Sequence, residues 1–276
     1  MIKIVVFVKQ VPEVTDVQVD PVTGTLLREG VQSILNPFCE YALDHAAHIK
    51  QADPDVQVIA ISMGPPQADA ALVRCLELGA DRAVLVTDRK FAGADTWATA
   101  YTLAQVVRQV VPDFNLILTG KQAIDGDTAQ VGPEIAEILG LPQVTYATDV
   151  SLTAGGRRVR VKREAERGIE VLETALPALV TVSKGDMLRR APSLEQVINA
   201  HSISIKIVRA SDLDLNEDAL GLKGSYTQVV KVFPPPAKGS SRILQGLEPA
   251  EAAREIFNFL KEHHFMDALQ SKREED

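Results

Sequence analysis

The apolar run Leu116-Ile117-Leu118 leads into Gly120-Lys121-Gln122-Ala123-Ile124-Asp125-Gly126-Asp127-Thr128-Ala129-Gln130-Val131-Gly132-Pro133, and that turn leads into Glu134 to Leu139. The run reads as a buried strand. Beyond the turn, Ile135, Ala136, Ile138 and Leu139 recur at helical spacing. The order is strand, polar glycine-rich turn, helix. It sets backbone N–H groups and short polar side chains at a helix N-terminus, where the dipole and unpaired donors favour a phosphate. At the carboxyl end of a strand such a turn is a candidate nucleotide site.

The same alternation fills the first half of the chain. Ile2 to Val8, Val56 to Ser62, Ala83 to Val86 and Leu116 to Thr119 are short, β-branched and nearly continuous in apolar character, as strands covered on both faces are. Between them, Pro37 to Gln51, Pro66 to Leu78, Asp95 to Val110 and Ala129 to Leu139 carry helical periodicity. Asp95-Thr96 is a helix start, and Gly79 and Gly140 are helix stops. This pattern predicts an α/β fold with a doubly wound, mainly parallel Rossmann-like sheet. Arg158 to Arg163 and Ile169 to Thr174 then alternate with period two around Gly168, which predicts an added β-hairpin, and Ala178 to Val182 reads as a buried strand.

Regular alternation ends near Lys184. Leu188 to Ala191 carries an arginine pair ahead of Pro192, and Ile203 to Val208 is a short strand candidate. Pro234-Pro235-Pro236 with Lys238-Gly239-Ser240-Ser241 reads as an extended connector. A last amphipathic helix, Pro249 to Glu262, places Ala253, Ile256, Phe257 and Leu260 on one face. That helix has no core of its own, so it packs back on the domain or docks on another chain.

Composition narrows the function. The chain has 276 residues, 46% hydrophobic and 24% charged, with a formal charge of -8. An acidic balance argues against a nucleic-acid partner, which requires a concentrated basic surface. Cys39 and Cys75 form no CxxC pair and read as buried free thiols, with no metal site implied. No apolar run approaches the roughly 18 residues that span a bilayer, and Ile2 to Val8 starts without a signal-peptide pattern. The expectation is a cytoplasmic protein without membrane insertion.

Four loops fall where the sheet would present its carboxyl ends: Lys9 to Pro12, Met63-Gly64-Pro65-Pro66, Ala94-Asp95-Thr96, and Gln122 to Gly132. Singly, each has a plainer role, since Asp95 and Thr96 can cap a helix and Gly64-Pro65 can be a turn. Converging on one crevice, they favour a nucleotide. There is no GxGxxG after the first strand and no GxxxxGK[ST] loop. No Ser/His/Asp or Cys/His arrangement is suggested. His45 and His48 lie one helical turn apart and read as a polar helix face rather than metal ligands. With no catalytic residues in view, any reaction belongs to a bound cofactor.

Several ordered blocks resemble the β subunit of electron transfer flavoproteins. They are Val8-Lys9-Gln10-Val11-Pro12, Leu35-Asn36-Pro37-Phe38-Cys39-Glu40, Gly79-Ala80-Asp81-Arg82, Gly120 to Asp125, and Val161-Lys162-Arg163-Glu164 through Gly168-Ile169-Glu170 to Leu176-Pro177-Ala178-Leu179-Val180-Thr181. The resemblance implies a heterodimer with a flavin-binding α subunit and electron exchange with an acyl-CoA dehydrogenase. Arg190 to Gln196 is similar to the family's recognition loop, which makes Leu194, flanked by Pro192 and Ser193, the docking anchor; a leucine capping the local core is the alternative. Glu164 resembles the glutamate that positions the mobile flavin domain of the α subunit. The implied organisation is a nucleotide-binding α/β domain over 1–183, a recognition loop over 184–202, and a C-terminal strand, linker and helix over 203–276, the last forming an extended arm that embraces the α subunit.

Members of the family divide by ligand. Ordinary carriers hold a structural AMP in the β subunit. Electron-bifurcating members hold a second FAD there, which takes a hydride from NADH and sends electrons separately to the α-subunit FAD and to ferredoxin or flavodoxin. The stretch Asp125 to Gly132 resembles the bifurcating version, because Gly126 stands where AMP holders tend to carry a second acid and Val131 where they tend to carry threonine. Lacking a side chain, Gly126 lets backbone approach a pyrophosphate. The implied cofactor-binding residues are Val8, Lys9, Asn36, Met63, Gly64, Asp95, Thr96, Thr99, Gln122, Asp125, Gly126, Asp127, Thr128, Ala129, Gln130, Val131 and Gly132. The expected ligand is FAD, with AMP the alternative.

Overall fold

The computed structural model describes residues 1–13, 33–153, 155–186, 191–230 and 243–265. Along the chain these form β1 (Ile2–Val8), β2 (Gln10–Pro12), β3 (Ser33–Leu35), α1 (Pro37–Ala52), β4 (Val56–Met63), α2 (Asp69–Glu77), β5 (Arg82–Val86) and α3 (Thr96–Val110). Next come β6 (Leu116–Gly120), α4 (Val131–Leu139), β7 (Gln143–Leu152), β8 (Arg158–Ala165), β9 (Gly168–Ala175), β10 (Ala178–Val182), α5 (Leu194–Ala200), β11 (Lys206–Val208) and α6 (Pro249–Glu262). The chain divides into a compact unit, Met1–Val232, and a second unit, Phe233–Asp276. Because β11 joins the main sheet, residues 203–232 belong to the first unit rather than to an arm beginning at 203.

Nine strands form the sheet in the order β11-β5-β4-β1-β6-β10-β7-β8-β9. From β11 to β7 every neighbouring pair is parallel; β8 and β9 continue it antiparallel, as the expected hairpin. The alternation along β1 shows why its sequence is apolar from Ile4 onward. Ile4, Val6 and Val8 pack in the core shared with Leu43 of α1 and Leu72 of α2. Val5 and Phe7 pack in the opposite core with Leu103 of α3 and Ile135 of α4. Both faces of β1 are thus buried, so polar residues are excluded from either parity.

The helices stand close to their expected bounds. Asp95 caps α3 instead of starting it, a 3-10 turn at Pro66–Ala68 precedes α2, and Gly140 ends α4 in the left-handed conformation. β7 was not anticipated. Its buried residues Val144, Ala147 and Val150 fall three apart, because a bulge interrupts the pairing and Tyr146 takes φ +60°. A strand with that irregularity loses the period of two that would reveal it.

The two histidines of α1 part company. His48 is exposed, but His45 is only 1% exposed, so the pair is not one polar face. Positions three apart on a helix point about 60° apart, enough to straddle the core boundary. Burial lowers the pKa of His45, the negative charge of Asp149 works against this, and Nδ1 has no hydrogen-bond partner among the described residues. Cys39 and Cys75 are buried and free, and burial pushes both thiols up. The Arg189-Arg190 pair and the Pro234 to Ser241 connector lie outside the described residues. In the second unit, α6 exposes Ile256 and Phe257 while Leu260 is half-buried. Among the described residues no helix is long and apolar enough to cross a membrane.

Candidate functional site

Strand order reverses between β1 and β6: the chain winds from β1 through β4 to β5 on one side, and from β6 outward on the other. At such a switch point the loops after the two strands diverge and leave a crevice at the carboxyl ends. Here those loops begin at Lys9 and Lys121, so the turn that opened the sequence reading sits at the reversal.

The turn is held from below by Asn36, which is 1% exposed. Its Nδ2 donates to the Gln122 carbonyl oxygen at 2.8 Å, and its Oδ1 accepts from the Ile124 N–H at 3.1 Å. Nδ2 also lies 3.2 Å from the Cys39 sulfur. One buried amide thereby fixes the turn to the head of α1. Two glycines allow the close approach. A Cβ on Gly120 would lie 2.7 Å from the Phe38 carbonyl carbon, and one on Gly132 would lie 2.7 Å from Thr181 Cγ2.

Further along the turn, Asp127 and Ala129 take φ +50° and +55°. Left-handed backbone at non-glycine residues costs about 1–2 kcal/mol each and gathers at functional sites. Ala129 precedes Gln130 in right-handed conformation, an order that turns successive N–H groups to one side as an anion cradle. Beside it, Val131 and Gly132 open α4, where the first N–H groups have no partner within the helix. Gly126 is open: nothing lies within 4 Å of a Cβ built there.

Asp95 joins this site to a segment far along the chain. One carboxylate oxygen accepts the Ala98 N–H at 3.0 Å and caps α3. The other accepts the N–H groups of Tyr226 and Thr227 at 2.8 and 2.9 Å and the Thr227 hydroxyl at 3.2 Å. Desolvation raises the carboxyl pKa, but these bonds outweigh it and hold the group below the usual aspartate value. A depressed pKa contributes stability above the unfolded value that is lost as pH falls through the folded one. Asp95→Ala should therefore speed hydrogen exchange at Tyr226 and Thr227 about tenfold at neutral pH, with the difference shrinking at low pH. Equal exchange in both proteins at neutral pH would dismiss Asp95 as the anchor.

Together these elements line an open cavity of about 1780 Å³. Of the seventeen residues expected to bind cofactor, all but Asp125 and Asp127 line it. Those two side chains are engaged within the turn: Lys9 Nζ reaches both Asp125 oxygens at 2.8 Å, and Gln122 Nε2 donates to Asp127 at 2.6 Å. The sequence reading missed Phe91, Trp97, Glu134, Leu222 and Tyr226, which also line the cavity. Trp97 and Tyr226 have ring centroids 6.2 Å apart at its rim. No local signal marks the 222–229 segment, because a contact spanning more than 125 residues leaves no period in the sequence.

The docking candidates lie elsewhere. Ser193 caps α5 with Gln196 in a reciprocal capping box, and Leu194 projects from the first turn at 76% exposure. Capping the local core is thereby excluded for Leu194. Glu164 is exposed on the hairpin opposite Ile169.

Fold and crevice define a doubly wound α/β protein with its cavity at the topological switch point. Residues 23–213 match the family model described as electron transfer flavoprotein domain. The chain is 45% identical over 264 residues to the caffeyl-CoA reductase-Etf complex subunit CarD of Acetobacterium woodii, covering 96% of this chain and 100% of that one. It is equally identical over 264 residues to the electron transfer flavoprotein subunit beta of Clostridium acetobutylicum, covering 95% and 99%. Protein FixA of Azotobacter vinelandii matches at 44% over 236 residues, covering 84% and 83%. The chain belongs to the electron transfer flavoprotein family, as a β subunit.

Proposed function

We propose that the cavity holds FAD, and that the heterodimer formed with an α subunit takes a hydride from NADH there and divides the electrons. One goes to the α-subunit FAD and on to an acyl-CoA dehydrogenase, the other to ferredoxin or flavodoxin. The observation that carries this reading is the cavity's extent. Ligand pockets for drug-sized molecules run about 300–1,000 Å³. At about 1780 Å³ this crevice exceeds that range and continues from the turn past the α3 N-terminus to Phe91 and Leu222.

The residues present fit the group. The α4 N-terminus and the 126–132 turn supply backbone donors for the pyrophosphate, with Gly126 leaving room for it. Lys121, Arg89 and Arg209 add positive charge at the cavity wall, offsetting Asp88 and Asp95. Asn36 orients the turn, and the segment anchored on Asp95 adds Tyr226 and Thr227 to the cavity wall. When bound, FAD supplies a ring that accepts hydride and can pass its electrons on singly. The name of the Acetobacterium relative, a subunit of a reductase acting on a CoA ester, supports a CoA-ester enzyme as partner.

Flavin and nucleotide quantification of the purified heterodimer tests the reading. Two FAD per heterodimer with no AMP is expected; one FAD with one AMP would overturn it. On α5, Leu194 and Ile198, 76% and 60% exposed one turn apart, form the apolar knob for the dehydrogenase. Leu194→Ala should slow electron transfer to the dehydrogenase at least tenfold, as loss of an apolar anchor worth about 2 kcal/mol does, and leave flavin content alone. An unchanged rate would remove the docking role. Glu164 serves as the contact for the α-subunit flavin domain, and α6 as the arm around that subunit.

A further inference from the structure

Two aromatic rings on the cavity wall stand outside both hydrophobic cores. Tyr226 is 83% exposed and Trp97, the second residue of α3, is half-buried, yet both line the cavity. Their centroids lie 6.2 Å apart with the ring planes tilted by 54°. A third ring does not fit between them, because two ring contacts of about 3.5 Å each need roughly 7 Å. A flat ligand therefore meets the pair from the cavity side.

Polar bonds, rather than apolar burial, fix the two rings in place. Asp95 caps the helix turn that carries Trp97 through one carboxylate oxygen, and holds the Tyr226 N–H through the other. Its own N–H donates to Ser225 Oγ at 2.8 Å, and that hydroxyl donates to the Gly221 carbonyl oxygen at 2.7 Å. One residue thus places both rings from distant parts of the chain. Next to Trp97, the Thr96 hydroxyl donates to Glu134 at 3.1 Å and lies 3.4 Å from Gln130 Oε1. The start of α3 therefore abuts the start of α4, where the turn offers its backbone donors. A nucleotide presents the matching pair of features: charged phosphates and, one sugar away, a flat ring with a π-face.

We propose that Trp97, flanked by Tyr226, is the stacking platform for a planar ring of the bound nucleotide. The inference rests on the nucleotide reading above and adds the group that holds the ring. Trp97 is a specificity-determining residue, because a phosphate or sugar phosphate without a heteroaromatic ring leaves its face uncovered. Stacking covers apolar ring surface that the fold itself leaves in water. FAD carries two such rings, adenine and isoalloxazine, and either presents the π-face that the platform requires.

The heterodimer, stripped of nucleotide, is titrated calorimetrically with FAD, AMP and FMN; the α subunit is the same in every sample, so differences belong to this chain. Trp97→Leu should weaken FAD about tenfold, as loss of one ring stack does, whereas Trp97→Phe keeps a π-face and should lose no more than about threefold. Tyr226→Leu should fall between wild type and Trp97→Leu. All three variants are expected to keep the wild-type urea midpoint, because neither ring lies in a core. If Trp97→Leu fails to fold, Tyr226→Leu, whose ring is almost wholly exposed, carries the test. A Trp97→Leu loss shared by FAD and AMP but not FMN puts adenine on the platform; one shared by FAD and FMN but not AMP puts isoalloxazine there. Either supports the proposal. Wild-type affinity of Trp97→Leu for every ligand, or a Trp97→Phe loss as large as that of Trp97→Leu, overturns the platform and leaves the nucleotide reading intact. AMP binding without FAD binding overturns the flavin reading alone, and the Leu and Phe variants then decide the platform with AMP. Failure of all three ligands to bind wild-type protein overturns both.

Discussion

Gly126→Glu lowers the affinity of the heterodimer for FAD more than a hundredfold and leaves the folding stability of the chain within about 0.5 kcal/mol. The stability half follows from space and backbone. Nothing lies within 4 Å of a Cβ at this position, and its φ is outside the left-handed range, so a side chain enters without strain. The affinity half follows from charge. A carboxylate about 5 Å from a phosphate, at the effective dielectric constant of about 20 typical near protein surfaces, opposes binding by roughly 3 kcal/mol. Gly126→Ala, which adds volume without charge, should lose no more than a few fold. Flavin titration of the stripped heterodimer measures both. Full occupancy in the glutamate variant would show that Gly126 does not govern the ligand, and would withdraw the reason for preferring FAD at this position.

Gly120→Ala acts on the scaffold instead, and destabilises the chain by about 3 kcal/mol in urea denaturation. The added methyl meets the Phe38 carbonyl carbon at 2.7 Å and the Cys39 nitrogen at 2.9 Å. Both are main-chain atoms in the first turn of α1, which cannot rotate away as a side chain would. Relief requires α1 to move off β6. Asn36 sits at the head of that helix and holds the 122–124 backbone, so the movement passes into the turn and nucleotide occupancy falls with stability. A loss below about 1 kcal/mol would mean that α1 yields freely and that the approach of helix to strand is not a constraint. The two substitutions therefore separate ligand recognition from framework, six residues apart in one turn.

Much of this was legible from local pattern. The apolar strands of the parallel sheet announced themselves because burial on both faces forbids polar residues at either parity. Asp95 and Gly140 punctuated helices by capping chemistry that needs only neighbouring residues. Of the hairpin, β8 alternated cleanly, since it buries Val159 and Val161 on one face while Arg158 and Arg160 stay outside; β9 is exposed along nearly its whole length. β7 stayed hidden because its bulge at Tyr146 stretches the spacing of buried residues to three. His45 was misjudged because 60° of helix rotation separates core from solvent, and composition does not say where that boundary falls.

The site divides in the same way. That a polar, glycine-rich turn between a strand and a helix suits a phosphate is a property of contiguous residues, and it needed no coordinates. Strand order is not such a property. It places the Lys9 loop and the Lys121 turn on either side of one crevice, and it depends on which way each crossover packs. Asp95 shows the difference most plainly. From sequence it is a helix cap; in the folded chain the same carboxylate also binds the backbone of Tyr226 and Thr227, more than 130 residues away. Helix and strand propensities act over a few residues and are written in local order. A cavity is made by residues that meet only when both faces of the sheet are buried, so its far wall and the meeting of Trp97 with Tyr226 were decided by tertiary structure alone.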